Sequence, residues 1–245
     1  LDFKNKLFTA VYGAEPMDYD SMVADFEKIH DRIVPMIKET TSMVNKALDE
    51  DKTVLFEGAQ ACMLDINYGT YPFVTSSSPT SAGVTTGAGV APNRLQTIVG
   101  VVKAYSTRVG EGPFVTELLD EQGAWIREHG FEFGATTGRP RRCGWLDLLV
   151  VKHAAMLNGL TDIVLTKIDV LSGLDTLKVC TGYEIDGKVY DYIPSDQADV
   201  AKAKPVYKEF KGWKEFLRCL VLTNFQKNVW ITLNLLKNSQ MFEFL

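Results

Sequence analysis

The sequence is poor in the groups that build metal centres and disulfide frameworks. Its four cysteines (Cys62, Cys143, Cys180 and Cys219) lie far apart with no C-x-x-C pair, and its three histidines (His30, His129 and His153) are equally dispersed. That spacing argues against a disulfide scaffold or zinc site and predicts reduced thiols in a cytoplasmic protein, with no metal-ligating residues. No apolar run is long enough to cross a bilayer, and no signal peptide opens the chain. No glycine-rich loop ends in Gly-Lys-Ser or Gly-Lys-Thr, which excludes a Walker A loop. Nor is positive charge in surplus: a net charge of −5 argues against a general nucleic-acid or membrane binder. The chain starts at Leu1 rather than methionine, so an N-terminal segment is expected to be missing.

What is present is an ordinary globular composition, 46% hydrophobic and 23% charged over 245 residues, enough for one large domain or two small ones. The positive charge is concentrated at Gly134-Ala135-Thr136-Thr137-Gly138-Arg139-Pro140-Arg141-Arg142-Cys143-Gly144-Trp145. Arginine offers a planar fork of donors suited to carboxylate and phosphate. Threonine hydroxyls add neutral donors, and glycine lets backbone N–H groups approach a ligand. A solvated basic turn is the plainer reading, but it has no need of the flanking Thr-Thr-Gly and Cys-Gly-Trp.

In chain order, helical spacing of Met22, Phe26, Ile29, Ile33, Ile37, Val44 and Leu48 predicts a helix over 21–48, capped by Asp20 or Ser21 and divided at Pro35. After a polar turn at 49–52, Thr53–Phe56 reads as a short buried strand. Gln60 then follows a strand's carboxyl end, where α/β sheets gather ligands, although a polar loop residue fits equally well. Thr70–Asn93 is rich in Gly, Ser and Thr with interleaved apolar residues, a packed loop able to cradle phosphate. A short helix from Arg94 is expected to lead into a strand over 101–109, with a turn at 110–113. Glu121–His129 reads as a helix stopped by Gly130, with Trp125 and Ile126 packing and His129 as a C-terminal helix partner. Leu146–Leu157 reads as a well-packed helix.

Asp162–Asp169 is an apolar strand running straight into Thr166-Lys167-Ile168-Asp169. An aspartate there can accept from the N1–H and 2-amino group of guanine, a pattern adenine lacks, while the lysine stem covers the base and its ammonium ties down the loop. A buried polar site of this kind discriminates by ~10⁴-fold or more. The plainer reading is a strand end with a surface ion pair. Val179–Ile193 predicts a β-hairpin turning at Asp186-Gly187, and 195–211 is polar with Pro205.

Five stretches in order then carry a resemblance: Phe56–Gln60, Gly69–Ser77, Lys103–Gly110, the arginine loop, and Leu165–Asp169. Together they resemble adenylosuccinate synthetase, the family that joins aspartate to IMP at the expense of GTP, over about residues 21–215. The resemblance implies an α/β fold, a mostly parallel sheet flanked by helices with a small β-hairpin excursion, incomplete relative to the family's. It implies IMP contacts at Gln60, Thr75, Val109 and Arg139, and aspartate contacts at Thr136, Thr137, Arg139 and Arg141. It assigns guanine recognition of GTP to Lys167 and Asp169. The family phosphorylates the 6-oxygen of IMP and displaces it with the aspartate amine, uses Mg2+, and is homodimeric. Its phosphate loop, catalytic Asp and His, and magnesium contacts are expected N-terminal to this region. No catalytic residue is therefore assigned here, and the chain alone is expected to be inactive; a non-catalytic IMP- or guanine-binding remnant, or a gene-model fragment, is the alternative.

Residues 216–245 carry no family motif and no clean amphipathic period. Back-translated and read from the third base of each codon, Trp230-Ile231 must give aspartate and Met241-Phe242 valine, and one permitted reading is an amphipathic helix similar to the family's continuation. A reading-frame slip near Glu215 is the expectation, with a lineage-specific tail or alternative exon as the other readings.

Overall fold

The structure, a computed structural model, describes residues 1–135 and 137–214; expectations for Thr136 and for the 215–245 tail lie outside the described residues. Two compact units divide at Val54. The first holds helices α1 (Asp2–Tyr12), α2 (Tyr19–Ile33) and α3 (Thr40–Asp49). The expected division at Pro35 is present as a 3-10 turn, Val34–Met36, between α2 and α3. The cap differs: Asp18, not Asp20 or Ser21, accepts from the Ser21 N–H at 2.8 Å. An extended residue with a free carboxylate suits that role, whereas Asp20 and Ser21 are already helical.

The second unit is α/β, as expected. Its strands are β1 (Val99–Lys103), β2 (Tyr105–Arg108), β3 (Arg142–Asp147), β4 (Asp162–Thr166), β5 (Thr176–Ile185), β6 (Lys188–Tyr190) and β7 (Lys204–Lys211). Its helices are α4 (Ala82–Ala88), α5 (Glu121–Gly130), α6 (Leu148–Asn158) and α7 (Gln197–Lys202). β1 pairs parallel with β4. A five-stranded sheet runs β2-β3-β5-β6 with β7 on β5; β3 and β5 are parallel and the other pairings antiparallel. The single strand expected over 101–109 is thus two, broken at Ala104, where the chain leaves one sheet for the other. The helix expected before it is only a 3-10 turn, Pro92–Arg94.

Other boundaries moved for identifiable reasons. Thr53–Phe56 is not a strand: no described strand pairs with it, and Leu55 stays 89% exposed. α5 continues through Gly130 and ends at Phe131, which takes the left-handed conformation (φ 53°). Arg142–Asp147, expected as loop and helix start, is a strand whose apolar run is buried in the sheet. The polar stretch 195–211 yields α7 and β7, with Pro205 near the start of β7, a position proline tolerates because it need not donate to the ladder there. The predicted hairpin is present, turning on Asp186 and Gly187 at φ 50° and 79°, the pair of positive values a tight type I′ turn requires.

The core lies between β2, β3, β5 and α5: Tyr105, Ile126, Cys143, Trp145, Leu171, Leu177 and Trp213 are buried together. Close packing on β3 requires Gly144, because a β-carbon there would sit 2.2 Å from the Thr116 carbonyl oxygen. Where β3 ends, Asp147 caps α6, its Oδ1 accepting from the N–H groups of Leu149 (3.0 Å) and Val150 (3.4 Å). Its Oδ2 accepts from the buried Tyr183 hydroxyl at 2.5 Å. Burial raises this carboxyl to about 6, against the lowering effect of those hydrogen bonds.

Replacing Asp147 with alanine removes a cap and orphans the Tyr183 hydroxyl. It should cost about 2–4 kcal/mol in urea unfolding. The pH dependence has a definite sign. The folded state holds the Asp147 proton up to about 6, against 3.8 for the unfolded chain; the stabilisation is full below the unfolded value and is lost as pH rises through the folded one. Asp147→Asn should therefore gain on the wild type in chemical unfolding across that window and hold a constant difference above it.

Candidate functional site

The described candidate ligand contacts, Gln60, Thr75, Val109, Thr137, Arg139, Arg141, Lys167 and Asp169, all lie outside the α-helices and β-strands of the second unit. Their organisation starts at a carboxylate that the motifs did not reveal. Glu132, 1% exposed, lies just beyond α5. Its Oε1 accepts from Lys103 Nζ at 2.7 Å and the Tyr105 hydroxyl at 2.6 Å, and its Oε2 from Arg141 Nη1 at 2.9 Å. Burial pushes this carboxyl up, but the hydrogen bonds and positive charges of Lys103 and Arg141 hold it below the usual range. The Arg141 N–H also donates to the Glu132 carbonyl, and Phe133 bridges Pro140, so 133–140 is a closed loop on a tied base. Gly138 turns it at φ 64°, and the exposed Thr137 accepts at Oγ1 from the Arg139 N–H at 3.3 Å. Arg139 is exposed and has no ion pair among the described residues.

The three arginines have different surroundings. Arg142, inside β3, is occupied by protein: it chelates Glu117 through Nε and Nη2 and donates from Nη1 to the carbonyls of Gly110 and Gly112. That bond set fixes the 110–113 turn next to Val109, which is 59% exposed. Arg108 continues the chain of ties, from Nε to the Glu111 carbonyl and from Nη2 to Thr70 Oγ1 and the Phe73 carbonyl. Gly112 leaves room for it, since a β-carbon there would lie 2.5 Å from Arg108 Nη2. The Thr75 loop, the Val109 turn and the arginine loop are therefore one hydrogen-bonded assembly.

The Thr75 loop has its own buried anchor, Asp65, which is fully enclosed. It accepts from Ser78 Oγ at 2.5 Å and from the N–H groups of Asn67 and Tyr68. Burial alone would raise Asp65; these donors keep it below the ordinary range. Thr75 N–H donates to the Leu64 carbonyl at 2.8 Å, and Thr75 Oγ1 lies 3.4 Å from Ser77 Oγ. From below, α6 holds the loop: His153 Nε2 lies 3.1 Å from the Tyr68 carbonyl oxygen, and Asn158 Oδ1 accepts from the Ser81 N–H at 2.7 Å. Between Leu55–Ala59 and Ser77–Thr80 opens a cleft of about 420 Å³ floored by α4. Gln60 follows that wall, exposed and at φ 69°.

At the end of β4, Lys167 sits at φ 61° and donates from Nζ to the Gly130 carbonyl at 2.9 Å, the last residue of α5. The ammonium ties down the loop, as the Thr-Lys-x-Asp spacing predicts, and it does so at the negative end of a helix. Asp169 opens a 3-10 turn with its carboxylate exposed. Gln60 and Lys167 share a conformation uncommon for residues other than glycine, and such outliers gather at ligand sites. His129, by contrast, caps its own helix, its Nδ1 lying 2.9 Å from the Trp125 carbonyl oxygen and its ring stacked on Trp125. Sequence reasoning missed Glu132 and Asp65 because each is a single acidic residue without a motif. The one signal was their setting in apolar stretches, Phe131-Glu132-Phe133 and Met63-Leu64-Asp65-Ile66.

An adenylosuccinate synthetase from Fusobacterium nucleatum is 62% identical over 212 residues, covering 86% of this chain and 50% of its own length. One from Bifidobacterium longum is 56% identical over 212 residues with the same coverage. A solved structure of fully ligated adenylosuccinate synthetase from Plasmodium falciparum superposes with a TM-score of 0.90 at 38% identity, over 96% of this chain and 56% of that one. The chain thus spans about half the length of the curated relatives it matches. With residues 1–237 matching the family described as adenylosuccinate synthetase, the chain belongs to that family.

Proposed function

We propose that this chain carries the IMP-, aspartate- and guanine-binding part of a GTP-dependent ligase that joins L-aspartate to IMP to give adenylosuccinate, in the AMP branch of purine nucleotide synthesis. What supports the reading is the family relationship together with one observation: the loops bearing Thr75, Val109, Arg139, Arg141 and Lys167 are cross-tied by buried or half-buried side chains onto one core. A site for three polar ligands needs that kind of preorganisation.

In this reading Asp169 accepts from the N1–H and 2-amino group of guanine, and the stem of Lys167 covers the base. Thr75 donates to the IMP phosphate, the Val109 backbone meets the ribose, and Gln60 contacts the hypoxanthine. Thr136, Thr137, Arg139 and Arg141 take the aspartate carboxylates, with Arg139 also reaching the ribose, so that the amine is free to attack C6. GTP first phosphorylates the 6-oxygen of IMP, turning it into a leaving group, and the aspartate amine then displaces phosphate. The chain's contribution is positioning, which is worth several orders of magnitude when the reacting atoms are aligned. Magnesium belongs to the family's reaction, but among the described residues no group of three or more His, Cys, Asp or Glu side chains could hold a metal ion. Among the described residues, then, no such side-chain cluster fits it. The family's homodimer is proposed for the whole protein, with no nucleic acid or membrane as partner and a cytoplasmic location; no described helix is long and apolar enough to cross a membrane. A 1–215 family domain followed by a frame-slipped 216–245 tail remains our proposal for the organisation of the chain.

Two outcomes are expected. In calorimetry Asp169→Asn should weaken GTP binding by roughly 100-fold while leaving IMP affinity unchanged, because an amide turns one acceptor into a donor facing guanine; equal GTP affinity in the two proteins would refute the assignment. In a coupled assay these 245 residues should give no GTP- and aspartate-dependent conversion of IMP. Turnover above background would show that the chain is catalytically sufficient, while IMP and GTP binding without turnover fits both the inactive ligase portion and the binding remnant.

A further inference from the structure

We propose that Glu132 is a positioning residue for the dicarboxylate clamp: it fixes the guanidinium of Arg141 so that the Nη donors left free of Glu132 face the ligand. The inference rests on the reading of Arg141 as an aspartate contact.

The argument begins with how unevenly the neighbouring arginines are satisfied. Arg142 spends Nε, Nη1 and Nη2 on Glu117, Gly110 and Gly112. Among the described residues Arg141 has one hydrogen-bond partner for its side chain, Glu132, reached through Nη1 alone. Its Nε is buried without a hydrogen-bond partner. A guanidinium carries five N–H donors in a rigid plane, so a single anchored nitrogen still sets the direction of the others. The anchor is itself immobile. Glu132 is held by donors from three elements: Lys103 at the end of β1, Tyr105 on β2, and Arg141 entering β3. With Oε1 taken by Lys103 and Tyr105, only Oε2 is left for the arginine. Gly130 leaves room for the Tyr105 hydroxyl to reach Glu132, since a β-carbon there would sit 2.4 Å from it.

A salt bridge serving only stability would leave Arg141 saturated and the effect of its loss general. A positioning role makes the loss specific to the ligand that Arg141 meets. A displacement of about 1 Å in such a group costs up to roughly 100-fold in a bound reaction geometry.

The test uses the full chain and two readouts. The first is NMR of the arginine side chains: Arg141 should rotate slowly about its guanidinium bond in the wild type and rapidly in Glu132→Gln, with Arg142 slow in both. The second is titration with succinate and, separately, with GDP. Glu132→Gln should lower succinate affinity by about tenfold or more, with Glu132→Asp intermediate and GDP affinity unchanged in both. Slow Arg141 rotation persisting in Glu132→Gln would overturn the proposal, as would parallel loss of succinate and GDP binding in both variants. Succinate affinity lost in Arg141→Gln but intact in Glu132→Gln also overturns positioning while leaving the clamp reading standing. Succinate affinity unchanged in Arg141→Gln overturns the clamp reading and the proposal with it.

Discussion

One buried carboxylate organises this molecule. Glu132 lies almost wholly out of water, and removing a charge from water costs several kcal/mol unless partners replace the solvent. Here they are a lysine, a phenol and an arginine drawn from β1, β2 and the entry to β3. Those strands belong to two different sheets, so the carboxylate joins the parallel β1·β4 pair to the five-stranded sheet where the chain itself crosses at Ala104. Losing one partner would remove one of the three donors that replace water around a buried carboxylate, which makes the three contacts interdependent. The direction of Arg141 is set by the same constraint that holds the sheets together.

Around that centre, charge is used in two distinct ways. Arg108 and Arg142 are consumed by carbonyls, a hydroxyl and Glu117, and their product is a rigid backbone at the Val109 turn. Among the described residues Arg139 and Arg141 keep donors unspent. Asp65 repeats the logic of Glu132 with neutral donors, gathering hydroxyl and N–H groups so that Thr75 and the adjacent Ser77–Thr80 wall have a fixed backbone. Below both, α6 runs from a carboxylate cap at Asp147 to an amide clamp at Asn158. The loops are polar and exposed, but each is tied to a buried anchor.

Much of this was legible in the sequence wherever a local pattern carries its own physics. Pro35 divides a helix, Asp186-Gly187 turns a hairpin, and an apolar run ending in Thr-Lys-x-Asp places Lys167 and Asp169 past a strand. Five ordered motifs marked the family. What was not legible depends on partners distant in sequence. Thr53–Phe56 has the composition of a strand, but no described strand pairs with it. β7 is polar because it lies along β5 with lysines at 204, 208 and 211, and only pairing makes it a strand. Arg142 looked like its neighbours until burial placed it in β3. Glu132 and Asp65 carry no local signal beyond their apolar setting, because their importance comes from donors up to 29 residues away.

The central claim is that separate loops on one core receive IMP, a dicarboxylate and guanine. Its most direct measurement is chemical-shift mapping of the isotopically labelled chain, titrated with each ligand in turn. The account predicts shifts at Gln60, Thr75 and Val109 with IMP, at Thr137, Arg139 and Arg141 with aspartate in the presence of IMP, and at Lys167 and Asp169 with GDP. Shifts that fall on one common set of residues for all three ligands, or on none of these, would contradict it.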